Sequence, residues 1–225
     1  MKPIQQAFTI LGITMLLGVM SPIAQAEASS KTEKSVDVQQ HYNQGVQKLA
    51  QGNFNAAIAD FNEVVRLNPK FYEGFCLRGL AKTNLGDFQS AIADYNQALQ
   101  INPRHTDAYN GRGISYVEVG NLQKAIADFN QSVKIDPRSP DGYYNLGLAH
   151  FKNGKHQQAI SNFTQAIKID STLADAYGNR GLALYALGDR KSAVTDLQQA
   201  ASLFQQQGNT PGYQKTQFLL QQIQQ

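Results

Sequence analysis

The sequence predicts an all-α fold, a solenoid of five helix-turn-helix units followed by a C-terminal capping helix. Two glycine ladders carry the prediction. Gly52, Gly86, Gly120, Gly154 and Gly188 are each 34 residues apart (86 − 52, 120 − 86 and onward), and Gly45, Gly79, Gly113, Gly147 and Gly181 keep the same step. Together they use ten of the 18 glycines, and a fixed period of that length is the mark of stacked repeats. The third observation is the stretch that travels with them, written most fully from Tyr109 to Pro137. It reads as apolar residues at helical spacing, a glycine, a second such run and a proline.

Composition fits one continuous array. The 225 residues are 42% hydrophobic, enough for a core that grows by stacking rather than by adding domains. A net charge of +3, with no basic run or basic-aromatic stripe, is too weak for a nucleic-acid partner. Cys76 is the single cysteine, so no intramolecular disulfide is available and the fold must stand on packing. Burial is the expected state of that thiol.

The first residues read as an export signal over 1–26. Met1-Lys2 supplies a positive start, Ala7 to Met20 an apolar run, and Ala24-Gln25-Ala26 a small-x-small cleavage pattern after Ser21-Pro22. Cleavage after Ala26 leaves no membrane span in the mature chain, since a span needs about 20 apolar residues. The expected location is therefore periplasm, lumen or extracellular space. Residues 27–37 are polar and aperiodic, and are expected to form a disordered linker.

The array then runs 38–71, 72–105, 106–139, 140–173 and 174–207, with 208–225 as the capping helix. Numbering each unit from its first residue, position 15 is the turn glycine, free to take the left-handed conformation that ends a helix. Position 8 is the other glycine, which costs about 1 kcal/mol inside a helix. It is acceptable only where another element comes close, and the small residue at position 20 (Ala57, Ala91, Ala125, Ala159, Ala193) is the natural partner. Pro69, Pro103 and Pro137 at position 32 stop the second helix, giving way to Ser171 and Gln205 in the last two units. Ile126, Phe129 and Val133 have the i, i+3, i+7 spacing of one buried face. Ser139 is placed to cap the seventh helix, with Pro140 at its first position. Thr210 and Pro211 are placed to start the last one, whose glutamines among Phe218, Leu219, Leu220 and Ile223 suit a cover for the end of the array.

Comparing the copies suggests an ion pair. Position 7 is Gln44, Arg78, Arg112, Leu146 and Arg180, and position 23 is Asp60, Asp94, Asp128, Asn162 and Asp196. The unit with leucine at position 7 is also the one without the aspartate. Pairing within a unit is therefore expected: Arg78 with Asp94, Arg112 with Asp128, and Arg180 with Asp196.

Period, turn glycines, the alanine at position 20, the ring at position 24 (Phe61, Tyr95, Phe129, Phe163, then Leu197) and the prolines resemble the tetratricopeptide repeat (TPR) family. The resemblance covers most of the chain after residue 37. It implies a right-handed superhelix whose first helices line a concave groove through positions 2, 5, 6, 9 and 12. In this sequence those positions include Asp107, Asn110 and Ile114 in unit three. Unit four supplies Asp141, Tyr144, Asn145, Leu148 and Phe151, and unit five supplies Asp175, Asn179, Leu182 and Tyr185. Position 9 suits packing between first helices equally well, and the acids at position 2 equally suit the helix dipole.

No histidine has metal-ligand spacing, no nucleophile motif or phosphate loop is present, and the ladder glycines have packing roles. The expectation is a protein without catalytic residues, metal or cofactor. It is an exported scaffold or adaptor that binds a protein or peptide in its groove. The absence of Lys and Arg at positions 2, 5 and 6 disfavours acidic tails and favours a hydrophobic or mildly basic segment. A self-assembling protein that forms homo-oligomers is the alternative.

Overall fold

The computed structural model describes residues 22–224, which form eleven helices and no strand. They are α1 (Pro22–Ala50), α2 (Phe54–Leu67), α3 (Tyr72–Asn84), α4 (Phe88–Ile101), α5 (Thr106–Glu118) and α6 (Leu122–Ile135). They continue as α7 (Pro140–Lys152), α8 (His156–Ile169), α9 (Ala174–Ala186), α10 (Arg190–Gln206) and α11 (Thr210–Gln224). Each odd-numbered helix packs on the next even one to form a unit, each even helix packs on the next unit, and successive first helices touch. Contacts are thus almost all between neighbours, as the fixed period requires. None of the described helices is long and apolar enough to cross a membrane.

Each unit turns at its position-15 glycine, and all five lie in the left-handed region, from 71° at Gly154 to 85° at Gly188. Side chains rarely adopt that backbone, so glycine there fixes where the first helix ends. The following unit begins after a second local device that the repeat pattern did not announce. Asn68, Asn102, Asp136 and Asp170 each end a second helix, and each Oδ1 accepts the N–H two residues on, at 3.1, 3.1, 3.0 and 2.8 Å. These side-chain turns hold the junction whether proline follows, as at Pro69, or serine, as at Ser171. The last junction has neither device. With Phe204 and Gln205 there, α10 continues to 17 residues where the other second helices have 14.

The glycine at position 8 has a different partner from the one expected. A Cβ on Gly45, Gly79, Gly113 or Gly147 would lie 2.6–3.0 Å from the ring at position 24 of the same unit, Phe61, Tyr95, Phe129 or Phe163. The ring lies where a side chain would be, and the alanine at position 20 is buried in the same unit. In unit five, where Leu197 replaces the ring, the nearest atoms are the Ala193 carbonyl oxygen and Leu197 Cγ, each 3.1 Å from that Cβ site. In units one to four the glycine therefore makes room for one large ring. These rings are the core: Phe61, Tyr95, Phe129 and Phe163 are at most 1% exposed.

Both termini differ from expectation. Residues 27–37 are helical, within an α1 that starts at Pro22. The segment is polar, yet it contains neither glycine nor proline and joins a helix already fixed at Val38 by packing, so nothing terminates it. Residues 1–21 of the expected export signal lie outside the described residues. At the other end Asn209, not Thr210, caps α11, its Oδ1 accepting the Gly212 N–H at 3.0 Å. Ser139 caps α7 as expected, at 3.3 Å from the Gly142 nitrogen. Helix α11 lies against α10 with Leu220 and Ile223 buried, and Arg190 Nε donates to the Ile223 carbonyl.

The ion pairs form within units. Arg78 Nε and Nη2 donate to Asp94 at 2.9 and 2.5 Å, Arg112 to Asp128 at 2.8 and 2.7 Å, and Arg180 to Asp196 at 2.7 and 2.8 Å. The third guanidinium nitrogen reaches back to the preceding unit, to Asn62, Asn96 and Thr164 at 2.8, 2.6 and 3.1 Å. Each guanidinium also lies over the ring three residues before it, Phe75, Tyr109 or Tyr177. One arginine therefore joins two helices of its unit to the unit before it. In unit one Lys48 takes the place of the missing arginine, 2.6 Å from Asp60. In unit four Leu146 is simply buried.

Candidate functional site

The first helices share one face, and position 9 shows how it is used along the array. Val46, Leu80 and Ile114 are 38%, 39% and 38% exposed, so an apolar stripe crosses α1, α3 and α5 uncovered. Leu148 and Leu182, their counterparts in α7 and α9, are half-buried. The stripe is therefore most exposed in units one to three.

Beside the stripe, between α3 and α5, lies a cavity of about 430 Å3. Its walls are Tyr42, Cys76, Leu77, Leu80, Tyr95, Gly111 and Ile114, and its polar lining is Glu73, His105, Asp107 and Asn110. The local sequence explains it. Tyr95 replaces the phenylalanine found at position 24 in units one, three and four, and its hydroxyl extends beneath α5. There it lies 3.3 Å from Thr83 Oγ1, which is 3.2 Å from Ser115 Oγ. Thr83 and Ser115 also donate back to the carbonyls of Gly79 and Gly111. A Cβ on residue 111 would collide with that phenol oxygen. Gly111 is the one glycine at position 6, where the other units carry asparagine or leucine. Tyrosine and glycine are thus a matched pair.

Electrostatically the cavity is negative. Glu73 and Asp107, both at position 2, make no salt bridge among the described residues. Burial, reinforced by Asp107 and Glu73, pushes the Cys76 thiol up to about 12. The thiol is buried as expected, with Sγ 4.0 Å from His105 Nδ1. That nitrogen accepts the Ala108 N–H and so caps α5. Burial raises the Tyr42 phenol as well, with Glu73 the next cause. Asn110 Oδ1 is buried with no hydrogen-bond partner.

Of the residues expected in the groove, the structure brings Asp107, Asn110 and Ile114 together at this cavity. Those of unit four are largely occupied by the protein itself. Tyr144 packs on the Phe163 ring at 5.8 Å, and Leu148 and Phe151 join the same cluster. Burial pushes the Tyr144 phenol up to about 12, and its oxygen accepts from Asn179 Nδ2 at 3.1 Å. The second N–H of Asn179 goes to the Asp175 carbonyl at 2.9 Å, so both amide protons are used within the chain. Asp175, Asn179 and Leu182 line a cavity of only about 60 Å3, closed by Lys215, Thr216 and Leu219 of α11. The capping helix thus lies where a sixth unit's first helix would stand. Asp141 is exposed, Asn145 half-buried and Tyr185 exposed at 45%.

Tyr42, Cys76, Leu77 and Tyr95 were not among the expected groove residues, whereas Glu73 and Leu80 occupy the groove positions 2 and 9. The available signal was Gly111, whose position breaks the pattern of the other copies.

Three family models match the chain. A TPR repeat model covers 79–120 and 113–154, and two tetratricopeptide repeat models cover 140–173 and then 41–71 with 174–207. Among solved structures the chain is similar to MamA, at 25% identity and a TM-score of 0.67, over 73% of this chain and 96% of that one. MamA from Desulfovibrio magneticus is similar at 22% identity and 0.70, over 76% and 97%. A thermophilic TPR protein of Thermus thermophilus is similar at 18% identity and 0.64, over 83% and 98%. No curated protein matches the sequence.

Proposed function

This chain belongs to the tetratricopeptide repeat family, and from that premise we propose that it is an exported, non-enzymatic adaptor holding a protein or peptide segment in its groove. The observation that carries the proposal is the uncovered stripe Val46, Leu80 and Ile114, continuous with the cavity between α3 and α5. A surface that leaves apolar side chains in a row beside a concavity is poised to bury them against a partner. Binding is centred on units one to three. Asp141, Asn145, Asp175, Leu182 and Tyr185 prolong the groove, and the inward-packed Tyr144 and Phe151 support it from beneath. The row of acids Glu73, Asp107, Asp141 and Asp175, without a lysine or arginine at positions 2, 5 or 6, favours an apolar or mildly basic segment.

A photo-crosslinking residue at Val46 or Ile114 tests this in the native compartment. A discrete crosslinked product is expected, lost when Leu80→Asp places a charge in the stripe. Equal crosslinking by the Leu80→Asp protein would refute the groove assignment. A product that proves to be a second copy of this chain would establish the self-assembly alternative in place of an adaptor. Export through the 1–26 signal predicts a mature protein whose intact mass begins at Glu27; a mass retaining Met1–Ala26 in the native envelope would overturn it.

A further inference from the structure

We propose that the cavity between α3 and α5 is a socket for one basic side chain, arginine or lysine, of the segment held in the groove. The inference rests on the groove reading above and adds the chemistry of its occupant.

Shape comes first. At about 430 Å3 the cavity is at the lower end of the roughly 300–1,000 Å3 of small-ligand sites, room for a long side chain rather than a helix. Tyr42, Leu77, Leu80 and Ile114 give it apolar walls. Lysine and arginine bury their methylene stems along such surfaces while the charged head seeks polar partners.

The polar groups then select the head. Glu73 and Asp107 offer carboxylates, and Asn110 offers a buried Oδ1 that nothing in the protein satisfies. His105, the one side chain in the lining that protonation could make cationic, already uses Nδ1 to accept the Ala108 N–H. The socket therefore presents chiefly acceptors and a negative field. Elsewhere in the array Asp60, Asp94, Asp128 and Asp196 at position 23 each hold a cation of this chain, whereas the position-2 acids Glu73, Asp107, Asp141 and Asp175 make no salt bridge among the described residues. Glu73 and Asp107 are in the first turns of α3 and α5, where a carboxylate complements the helix dipole. That accounts for each acid separately, but not for the orphan Asn110 oxygen or for a cavity opening between them. A guanidinium, with five donors in one plane, can serve the asparagine and a carboxylate together, so arginine should exceed lysine. An acidic side chain would meet repulsion, and a neutral apolar one would leave the Asn110 oxygen dry and unpaired.

The test uses the full chain and four acetylated, fluorescent nonapeptides of leucine and alanine that differ only at the central residue: arginine, lysine, citrulline or glutamate. Citrulline keeps the shape of arginine and removes its charge. Fluorescence anisotropy is expected to show the arginine peptide binding at least tenfold tighter than the citrulline one, with lysine between and glutamate weakest. The double variant Glu73→Gln/Asp107→Asn, changed at two side chains outside the ring core, should abolish that spread while still binding citrulline. Equal affinity for arginine and citrulline peptides overturns the socket. If Leu80→Asp then weakens both, the groove reading survives without it. A preference that persists in the double variant also overturns the socket, because the cation would be held elsewhere. Binding of none of the peptides overturns both the socket and the groove.

Discussion

Asp128→Ala is expected to destabilise the protein by about 3 kcal/mol in chemical denaturation. Both partners are largely shielded, with Asp128 9% and Arg112 18% exposed at the side chain. Removing the carboxylate strands a guanidinium that has Asn96 as its other hydrogen-bond partner. Loss of one partner of such a pair leaves a poorly solvated charge, which is worse than never having had the pair. The protein contains its own control. Unit four carries Leu146 and Asn162 at these two positions, with the leucine buried and the asparagine turned to the Gln158 carbonyl at 2.8 Å. Copying that arrangement into unit three, as Arg112→Leu/Asp128→Asn, is expected to remain within about 1 kcal/mol of the parent. A double variant as unstable as the sum of its two single variants would show no coupling between the two residues and would refute the stranded charge as the cause of the single-variant loss.

Phe129→Ala is expected to cost about 4 kcal/mol, since the ring is 1% exposed and its loss leaves a cavity among rigid neighbours. The informative measurement is what Gly113→Ala does with and without that ring. In the parent the new methyl would lie 2.6 Å from Phe129 Cε1, an overpacking worth about 1–3 kcal/mol of destabilisation. In the Phe129→Ala background the clash is gone. The methyl then fills part of the hole, and alanine is favoured over glycine in a helix by about 1 kcal/mol. Gly113→Ala should therefore change sign, from destabilising to neutral or stabilising, in a double-mutant cycle followed by thermal or chemical unfolding. If the substitution at 113 is equally harmful in both backgrounds, the ring is not the reason for the glycine.

The two contacts differ in how they show along the chain. The Arg112–Asp128 pair was legible from the copies, because the unit that lost one residue lost the other. Both residues are in the same unit, so its fixed period keeps them in register. The glycine–ring contact was not legible. Glycine at position 8 and alanine at position 20 announce a close approach, but either can arise from one bulky neighbour lying across both. The groove shows the same limit. Position 9 is Val46, Leu80, Ile114, Leu148 and Leu182, apolar in every copy, and residue type does not reveal which copies stay uncovered. Tyr144 read as an anchor for a ligand, yet its ring lies on Phe163 and its hydroxyl bonds Asn179 of the next unit.

By itself the sequence determined the repeat length, the five turns and the ion pairs. Each follows from period, backbone freedom or pairing inside one unit, and these are fixed by spacing along the chain. Tertiary structure decided which part of the common face is open. That depends on contacts between units: Tyr95 reaching under Gly111, Tyr144 bonding Asn179, and α11 closing over Asp175 and Leu182. Such contacts depend on how neighbouring helices stack in space, so the acidic cavity between α3 and α5 emerges only when two units are laid side by side.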